Sequence, residues 1–408
     1  SQLSMELAAV PDAELRQQAD AGSAEHQWRL SQVYRQQKRP ARASRYFRRA
    51  LQQGYHEAVS YQLELWTRTP GEFASFKRAQ DLLSKHIDSP HLQSWCWRLG
   101  VISGTQPLEV ELGLLEQQLA LGNPEALRYA ALRCTLAGKE GAARWFLQQA
   151  AGDNDHLAAE VLADAASHCL PELAAETVQP PTAGLLAEVL QTAPAADLQE
   201  INDSPRVLRY SRWLSPLACR LVAMAAAPHL QPSLTYEPGT GRQIESPLRT
   251  SHSMTFMPWL VDPSVAYVQR LLAGVSGREM NQCEVLGLLR YLPGQAYQLH
   301  YDAFVENGGN LQMFEDGGQR TRTALVYLND SYTGGETRFE HLDVEIKGHT
   351  GDLLIFDNVD SEGLRDRLSL HAGKPVVSGI KWLLSQWYRE SDNLYTRQMG
   401  WARAEGGE

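Results

Sequence analysis

Five cysteines are few for 408 residues, and Cys96, Cys134, Cys169, Cys219 and Cys283 form no CxxC pair. An odd number of scattered thiols argues against a disulfide framework and suits a reducing, cytoplasmic setting. Long apolar runs are missing as well. The most apolar stretch, "LACRLVAMAAAPHL" from Leu217, contains Arg220 and is shorter than the roughly eighteen residues a spanning helix needs. The N-terminus lacks a signal-peptide pattern, with Met5 as the candidate native start. Nor is there an excess of positive charge: the formal net charge is −10, which argues against a nucleic-acid binder as the whole-molecule reading. One stretch departs from this, "RQQKRPARASRYFRR" at 35–49, with seven Arg or Lys in fifteen positions. A solvated helix face and a site for an acidic partner both fit it.

What is present suits a folded two-domain chain, with 43% apolar and 21% charged residues and enough length for two cores. The first half repeats itself. "AEHQWRLSQVY" begins at Ala24, "HEAVSYQLELW" at His56, "HLQSWCWRLG" at His91, "PEALRYAALRC" at Pro124 and "HLAAEVLADAA" at His156, a spacing of 32 to 35 residues. That is the period of helix-turn-helix solenoids, with second helices such as "RASRYFRRALQQG" between. This half resembles tetratricopeptide and Sel-like repeats. A concave surface gripping a partner and a stabilising or dimerising appendage are both consistent with it. Prolines 171, 180 and 181 break the pattern. Past Pro205 the runs "EVLGLLRYL", "TALVYLND", "DLLIFDN" and "IKWLLSQWY" are strand-like, separated by "ENGGN", "EDGGQ", "TGGE" and "KGHTGD". Many short strands with Gly-rich turns predict an all-β barrel or sandwich. The expected organisation is therefore α+β and multidomain: a helical repeat at 1–170, a linker at 171–204, a β domain at 205–390 with flanking helices, and a tail at 391–408.

Within that β half, "YQLHYDAF" sets His300 and Asp302 two positions apart. On a strand such residues share one face, with Tyr301 directed away. His371, in "LSLHAGKPVVSG", is the best third partner. Two histidines and a carboxylate occupy one face of an octahedron and leave three positions open, the arrangement of non-haem Fe(II) oxygenases. Ten residues on, Lys381 lies in an apolar strand. A buried ammonium there makes sense if it neutralises a carboxylate entering the same cavity. A second His-x-Asp, His341-Leu342-Asp343 with His349 behind it, lies between Gly-rich turns with no cation at a comparable distance. These are expected to be surface or loop residues.

Residues 206–389 resemble the catalytic domain of the prolyl 4-hydroxylases, Fe(II)- and 2-oxoglutarate-dependent dioxygenases with a double-stranded β-helix (jelly-roll) fold. The matching stretches run from "WLSPLACRLVAMAAAPHLQPSLTY" and "SPLRTSHSMTF" through "EVLGLLRYLPGQAYQLHYD" and "GGQRTRTALVYLND" to "GGETRFE", "GDLLIFDN" and "HAGKPVVSGIKWLLSQWYRE". The resemblance implies His300, Asp302 and His371 as iron ligands and Lys381 as the partner of the C5 carboxylate of 2-oxoglutarate. It implies Thr337 as a hydroxyl donor to that carboxylate, Tyr291 as a co-substrate contact and Tyr327 in the same pocket. Tyr297, Arg320 and Trp387 would lie beside the substrate channel. For Tyr297 and Trp387 ordinary barrel packing, and for Arg320 a surface salt bridge, would leave the same pattern.

The implied cofactors are Fe(II), 2-oxoglutarate and O2, with ascorbate as a reductant, and the implied products are succinate, carbon dioxide and a hydroxylated C–H bond. A prolyl residue in a protein or peptide, held by the helical repeats, is the first substrate reading. A free amino acid or small natural product is the alternative, and a repeat scaffold with an inactive oxygenase half is a third. No nucleic acid or membrane partner is expected. The Gly-rich segment 303–319 could be a lid over the substrate or an exposed loop.

Overall fold

The computed structural model describes residues 12–163, 165–237, 240, 242–305 and 311–403. By packing, the chain divides into two units, one ending at Leu99 and one beginning at Gly100.

The first unit is helical: α1 (Asp12–Asp20), α2 (Ala24–Gln36), α3 (Pro40–Gln52), α4 (His56–Thr67) and α5 (Phe76–Ser84), with α6 (Gln93–Ser103) crossing the division. Local chemistry sets the ends. Ser23 caps α2 by accepting from the His26 amide, Pro40 opens α3, and Ser75 caps α5. Leu15, Ala19, Leu30, Tyr34, Ala43 and Tyr46 form the core between α1, α2 and α3. Small Ala43 and Ala19 let the helices approach, while Trp28, Phe47 and Tyr61 pack ring on ring between α2, α3 and α4.

The second unit holds more helices than the change of sequence period suggests: α7 (Leu108–Ala120), α8 (Pro124–Leu136), α9 (Glu140–Gly152), α10 (His156–Leu162), α11 (Leu185–Val189), α12 (Pro216–Ala226), α13 (Pro263–Val275), α14 (Leu311–Glu315) and α15 (Leu394–Gln398). The division by packing thus falls inside the stretch 1–170 that the sequence reads as one helical repeat. α8 is buried from Ala126 to Leu136, as a helix enclosed on all sides must be. Its Arg128 bridges Asp155 and Asp262 at 2.6 and 2.9 Å, and its Arg133 donates to the Leu190 carbonyl at 2.7 Å. The expected linker is also tied down, since the Gln179 amide donates to the Gly141 carbonyl, Arg220 Nη1 donates to that of Pro171, and Leu185, Val189 and Leu190 are buried. The expected tail buries Tyr395 and Met399. Its last residues, 404–408, lie outside the described residues, as do 306–310 of the segment read as a lid or loop.

The strands are β1 (Asp197–Asn202), β2 (Val207–Ser211), β3 (Gln231–Pro232), β4 (Leu234–Tyr236), β5 (Gln243–Glu245), β6 (His252–Thr255), β7 (Gly287–Tyr291) and β8 (Tyr297–His300). After them come β9 (Arg320–Tyr327), β10 (Tyr332–Gly334), β11 (Thr337–Phe339), β12 (Val344–Ile346), β13 (Leu353–Asp357), β14 (His371–Gly373), β15 (Val376–Gly379) and β16 (Lys381–Arg389). An eight-stranded antiparallel sheet runs β1-β2-β13-β9-β16-β7-β6-β3, and a four-stranded one β12-β11-β14-β8. Two-stranded pairs β10-β15 and β4-β5 complete the set. One core cluster draws Leu289, Leu325, Leu354, Phe356 and Leu383 from the large sheet and Phe339 and Ile346 from the small one, so the two sheets face each other. β9, β13 and β16 are buried on both faces, which explains why they read as continuous apolar runs. No described helix is long and apolar enough to cross a membrane.

Candidate metal centre

β8 stops at His300 and the chain bends before Asp302, so the carboxylate lies just past the strand rather than two places along it. The convergence expected from alternation is reached all the same. Tyr301 turns away, its hydroxyl donating to the Arg367 carbonyl at 3.3 Å and its ring lying under the Arg365 guanidinium at 4.0 Å. β14 lies beside β8 with His371 opposite His300, bringing the imidazole centroids to 4.3 Å. Their Nε2 atoms stand 3.2 and 3.5 Å from Asp302 Oδ1, and one ligand atom from each of the three residues lies within 4.8 Å of the others.

The donor set fits a cation. His300 Nδ1 is 2.7 Å from the Gln298 carbonyl and His371 Nδ1 is 2.8 Å from that of Ser369. A carbonyl can only accept, so each Nδ1 carries a proton and each Nε2 is left to ligate. Burial pushes the His371 imidazole down to about 4, against the pull of Asp302, which leaves it neutral at pH 7. Burial alone would raise the Asp302 carboxyl, yet His371, His300 and the Thr323 hydroxyl hold it well below the usual carboxylate range. Lone pairs aimed at one point repel, and a divalent ion removes that repulsion. Among the described residues no other group of three or more His, Cys, Asp or Glu side chains is placed to hold a metal. His341-Leu342-Asp343 lies in the turn from β11 to β12, where Asp343 pairs with Arg338. His349 is surface-exposed beside Arg209 and Asp352.

The ligands open into a cavity. β16 lines it with Lys381, Leu383, Ser385 and Trp387, alternate residues on one face. Lys381 is 1% exposed, and its Nζ donates to the Gly335 carbonyl at 2.7 Å, 5.0 Å from the centre of the Tyr291 ring. Burial pushes the ammonium down to about 8, Glu336 pulling the other way. A carboxylate entering the cavity would restore its charge. Tyr291 and Thr337 belong to the wall. Tyr327 stands behind, its hydroxyl 2.6 Å from Thr337 Oγ1. Burial pushes both phenols up to about 12, so they remain neutral.

Of the expected channel residues, Tyr297 and Trp387 line the cavity, and Tyr297 stacks on His300 at 3.5 Å. Arg320 is not in the wall. Glu284 holds it bidentately at 2.8 and 3.0 Å, and its guanidinium lies 3.7 Å from the centre of the Trp387 ring. The pair is buried, not a surface salt bridge. Sequence reasoning missed Glu284. It also gave no role to Arg249, which lines the cavity with its guanidinium 5.0 Å from the Tyr297 ring centre. Both contacts join residues far apart in sequence, and nothing local signals them.

A His-Asp-His centre opening into a cavity with a buried lysine, between facing antiparallel sheets, defines the class of Fe(II)/2-oxoglutarate-dependent dioxygenases. Residues 286–389 match the 2OG-Fe(II) oxygenase superfamily. The chain is 32% identical over 205 residues to prolyl 4-hydroxylase 1 of Arabidopsis thaliana, covering 47% of this chain and 71% of that protein. It is 31% identical over 202 residues to probable prolyl 4-hydroxylase 3 of the same plant, covering 45% and 69%. The 2-oxoglutarate complex of a viral collagen prolyl hydroxylase from Paramecium bursaria Chlorella virus-1 aligns at 26% identity with a TM-score of 0.34, over 45% of this chain and 95% of that one. The chain belongs to the prolyl 4-hydroxylase-like 2OG-Fe(II) oxygenases. It is a dioxygenase that uses Fe(II), 2-oxoglutarate and O2.

Proposed function

We propose that the chain hydroxylates a prolyl residue within a protein or peptide. The observation that carries this reading is a single cavity shared by His300, Asp302, His371 and Lys381, in a chain whose relatives are named as prolyl 4-hydroxylases. Fe(II) with 2-oxoglutarate and O2 supplies an oxidative decarboxylation, giving succinate and carbon dioxide, coupled to hydroxylation of a C–H bond. His300, Asp302 and His371 would hold the ion, and such a two-histidine, one-carboxylate set would leave positions for the co-substrates. Lys381 pairs with the distal carboxylate of 2-oxoglutarate. Thr337, held by Tyr327, donates its hydroxyl to the same group, and the Tyr291 phenol packs alongside. Leu289, Leu325 and Leu383 keep water from the reacting centre. Tyr297 and Trp387 form the substrate side, with Arg320 and Glu284 fixing the indole from behind. Asp302 stays a carboxylate ligand and moves no proton. Ascorbate would be the external reductant for the bound iron in this reading.

In the same reading the facing sheets are a double-stranded β-helix, and the helices from 12 to 162 are a repeat solenoid that holds the protein substrate. The starts of α2, α4, α8 and α10 at Ala24, His56, Pro124 and His156 support the repeat. The basic stretch of α2 and α3 supports the grip: Arg35, Lys38, Arg39, Arg42, Arg45, Arg48 and Arg49 are all exposed, and no Asp or Glu occurs between Glu25 and Glu57. Such a face suits an acidic segment of a substrate protein. The test is incubation with Fe(II), 2-oxoglutarate and panels of proline-containing peptides and free amino acids. A peptide gaining one oxygen with matching succinate release is expected. Turnover confined to free amino acids would overturn the proposal.

A further inference from the structure

Asp302 has two carboxylate oxygens, and the structure uses them differently. Oδ1 faces both imidazoles, whereas Oδ2 accepts from Thr323 Oγ1 at 2.7 Å. Thr323 lies on β9, opposite Phe356 of β13 and Trp387 of β16. Its hydroxyl in turn accepts from Asn358 Nδ2 at 2.9 Å. Asn358 follows β13, is fully buried, and is pinned by its own backbone, the amide donating to the Thr321 carbonyl and the carbonyl accepting from Asp366. The reverse amide orientation would set two acceptors, Asn358 Oδ1 and Asp302 Oδ2, against a single hydroxyl proton. In the orientation found, Asn358 Nδ2 supplies a hydrogen that Thr323 Oγ1 accepts, which directs the Thr323 proton to Asp302 Oδ2.

We propose that Asn358 and Thr323 form a relay that holds Asp302 to monodentate metal binding, so that the coordination positions needed by the co-substrates stay open. The relay works by occupation. With Oδ2 committed to a fixed donor inside a buried site, rotating the carboxylate to chelate the ion would strand the Thr323 proton and the Asn358 amide behind it. Thr323 and Asn358 are positioning residues: they act through Asp302 and touch no substrate. The inference rests on Asp302 being an iron ligand, and the test separates the two claims.

The experiment is anaerobic Fe(II) titration of the full chain, followed by 2-oxoglutarate, reading Fe(II) affinity and the visible charge-transfer band of the loaded site. Thr323→Val keeps the shape and removes the donor. It is expected to weaken Fe(II) binding by about 10- to 100-fold, the usual effect of losing a partner of a metal ligand, and to shift the band. Thr323→Ser restores the donor and should return affinity to within about threefold of the parent. Asn358→Leu frees the hydroxyl to rotate and should fall between the two. A merely structural role would lower thermal stability equally in Thr323→Ser and Thr323→Val without moving the band of the folded protein. Parental affinity and an unmoved band in Thr323→Val overturn the relay. Should that variant fail to fold, parental behaviour of Asn358→Leu overturns it instead. A parent that binds no Fe(II) would sink the ligand assignment itself.

Discussion

A lysine side chain 1% exposed in a cavity wall has to be explained by what it meets there. If Lys381 pairs with the distal carboxylate of 2-oxoglutarate as proposed, Lys381→Met strands that group while His300, Asp302 and His371 are untouched. Losing one partner of a buried charged pair costs about 2 kcal/mol or more, so 2-oxoglutarate affinity should fall roughly thirtyfold while Fe(II) affinity stays near the parent value. Titrating the charge-transfer band with each ligand checks both. The pH dependence has two signs. With Lys381 pushed down to about 8 from 10.5, the ammonium is lost above pH 8 and 2-oxoglutarate binding should weaken there, a trend absent from Lys381→Met. Between 8 and 10.5 the unfolded chain keeps that proton and the ligand-free folded chain does not, so this group makes the folded protein more stable as pH rises through that window. A second prediction concerns Gly348. A Cβ there would fall 2.1 Å from Tyr327 Cγ, too close for any contact, so Gly348→Ala must displace the ring and its bond to Thr337. Weaker 2-oxoglutarate binding with unchanged Fe(II) binding is the expected result. At this scale His300, Asp302, His371 and Lys381 were legible, because short spacings and an ion in an apolar run are visible along the chain. Thr323, Asn358 and Gly348 were not, because a threonine in a strand, an asparagine after one and a glycine in a turn have ordinary local explanations.

At the scale of elements, β16 shows how a strand buried on both faces still encodes a site. Lys381, Leu383, Ser385 and Trp387 line the cavity, while Trp382 and Leu384 pack on the other side. The strand itself was readable as an apolar run, as were the stretches of β7 and β9, but that these two flank it was not. Pairing joins stretches far apart in sequence, and alternation cannot name the partner. Arg320 illustrates that gap, since it stands behind the cavity-lining Trp387 rather than in the wall, and Glu284, from outside β9, decides where the guanidinium goes. One carboxylate here serves two buried cations, because Arg389 also reaches Glu284 at 3.1 Å. Glu284→Ala leaves both guanidiniums without it in a buried setting. Breaking such a group costs about 3–5 kcal/mol, so a fall in Tm of several degrees is expected by thermal melting. Lys381 and the metal ligands are left in place, and the charge-transfer band should persist in the protein that remains folded.

For the whole molecule, the change from helical to strand period marked a change of secondary structure but not of packing. α8 belongs with the β half although its sequence repeats with the helices before it. The reason lies in Arg128 and Arg133, whose partners Asp262 and Leu190 sit far downstream and leave no trace in the local pattern. Two truncations separate the possibilities. A chain beginning at Pro90 keeps α6 whole and all of the second unit, and it should fold and give the Fe(II)–2-oxoglutarate band. A chain beginning at Pro171, the boundary read from the sequence, removes α8 and leaves Asp262 without Arg128 and Trp382 Nε1 without the His168 carbonyl. It should be insoluble or unfolded. Activity of the Pro90 chain then weighs the role of the first unit. If α2 and α3 grip an acidic segment of the substrate, removing them, or reversing charge with Arg39→Glu, Arg45→Glu and Arg48→Glu in the full chain, should raise KM for a long acidic protein substrate. It should leave turnover of a short neutral proline peptide unchanged. The loss should shrink as salt rises, because exposed charges are screened over roughly 10 Å at 0.1 M. Equal KM values for the long substrate in parent and reversed proteins at low salt would show that the basic face is solvated surface and nothing more.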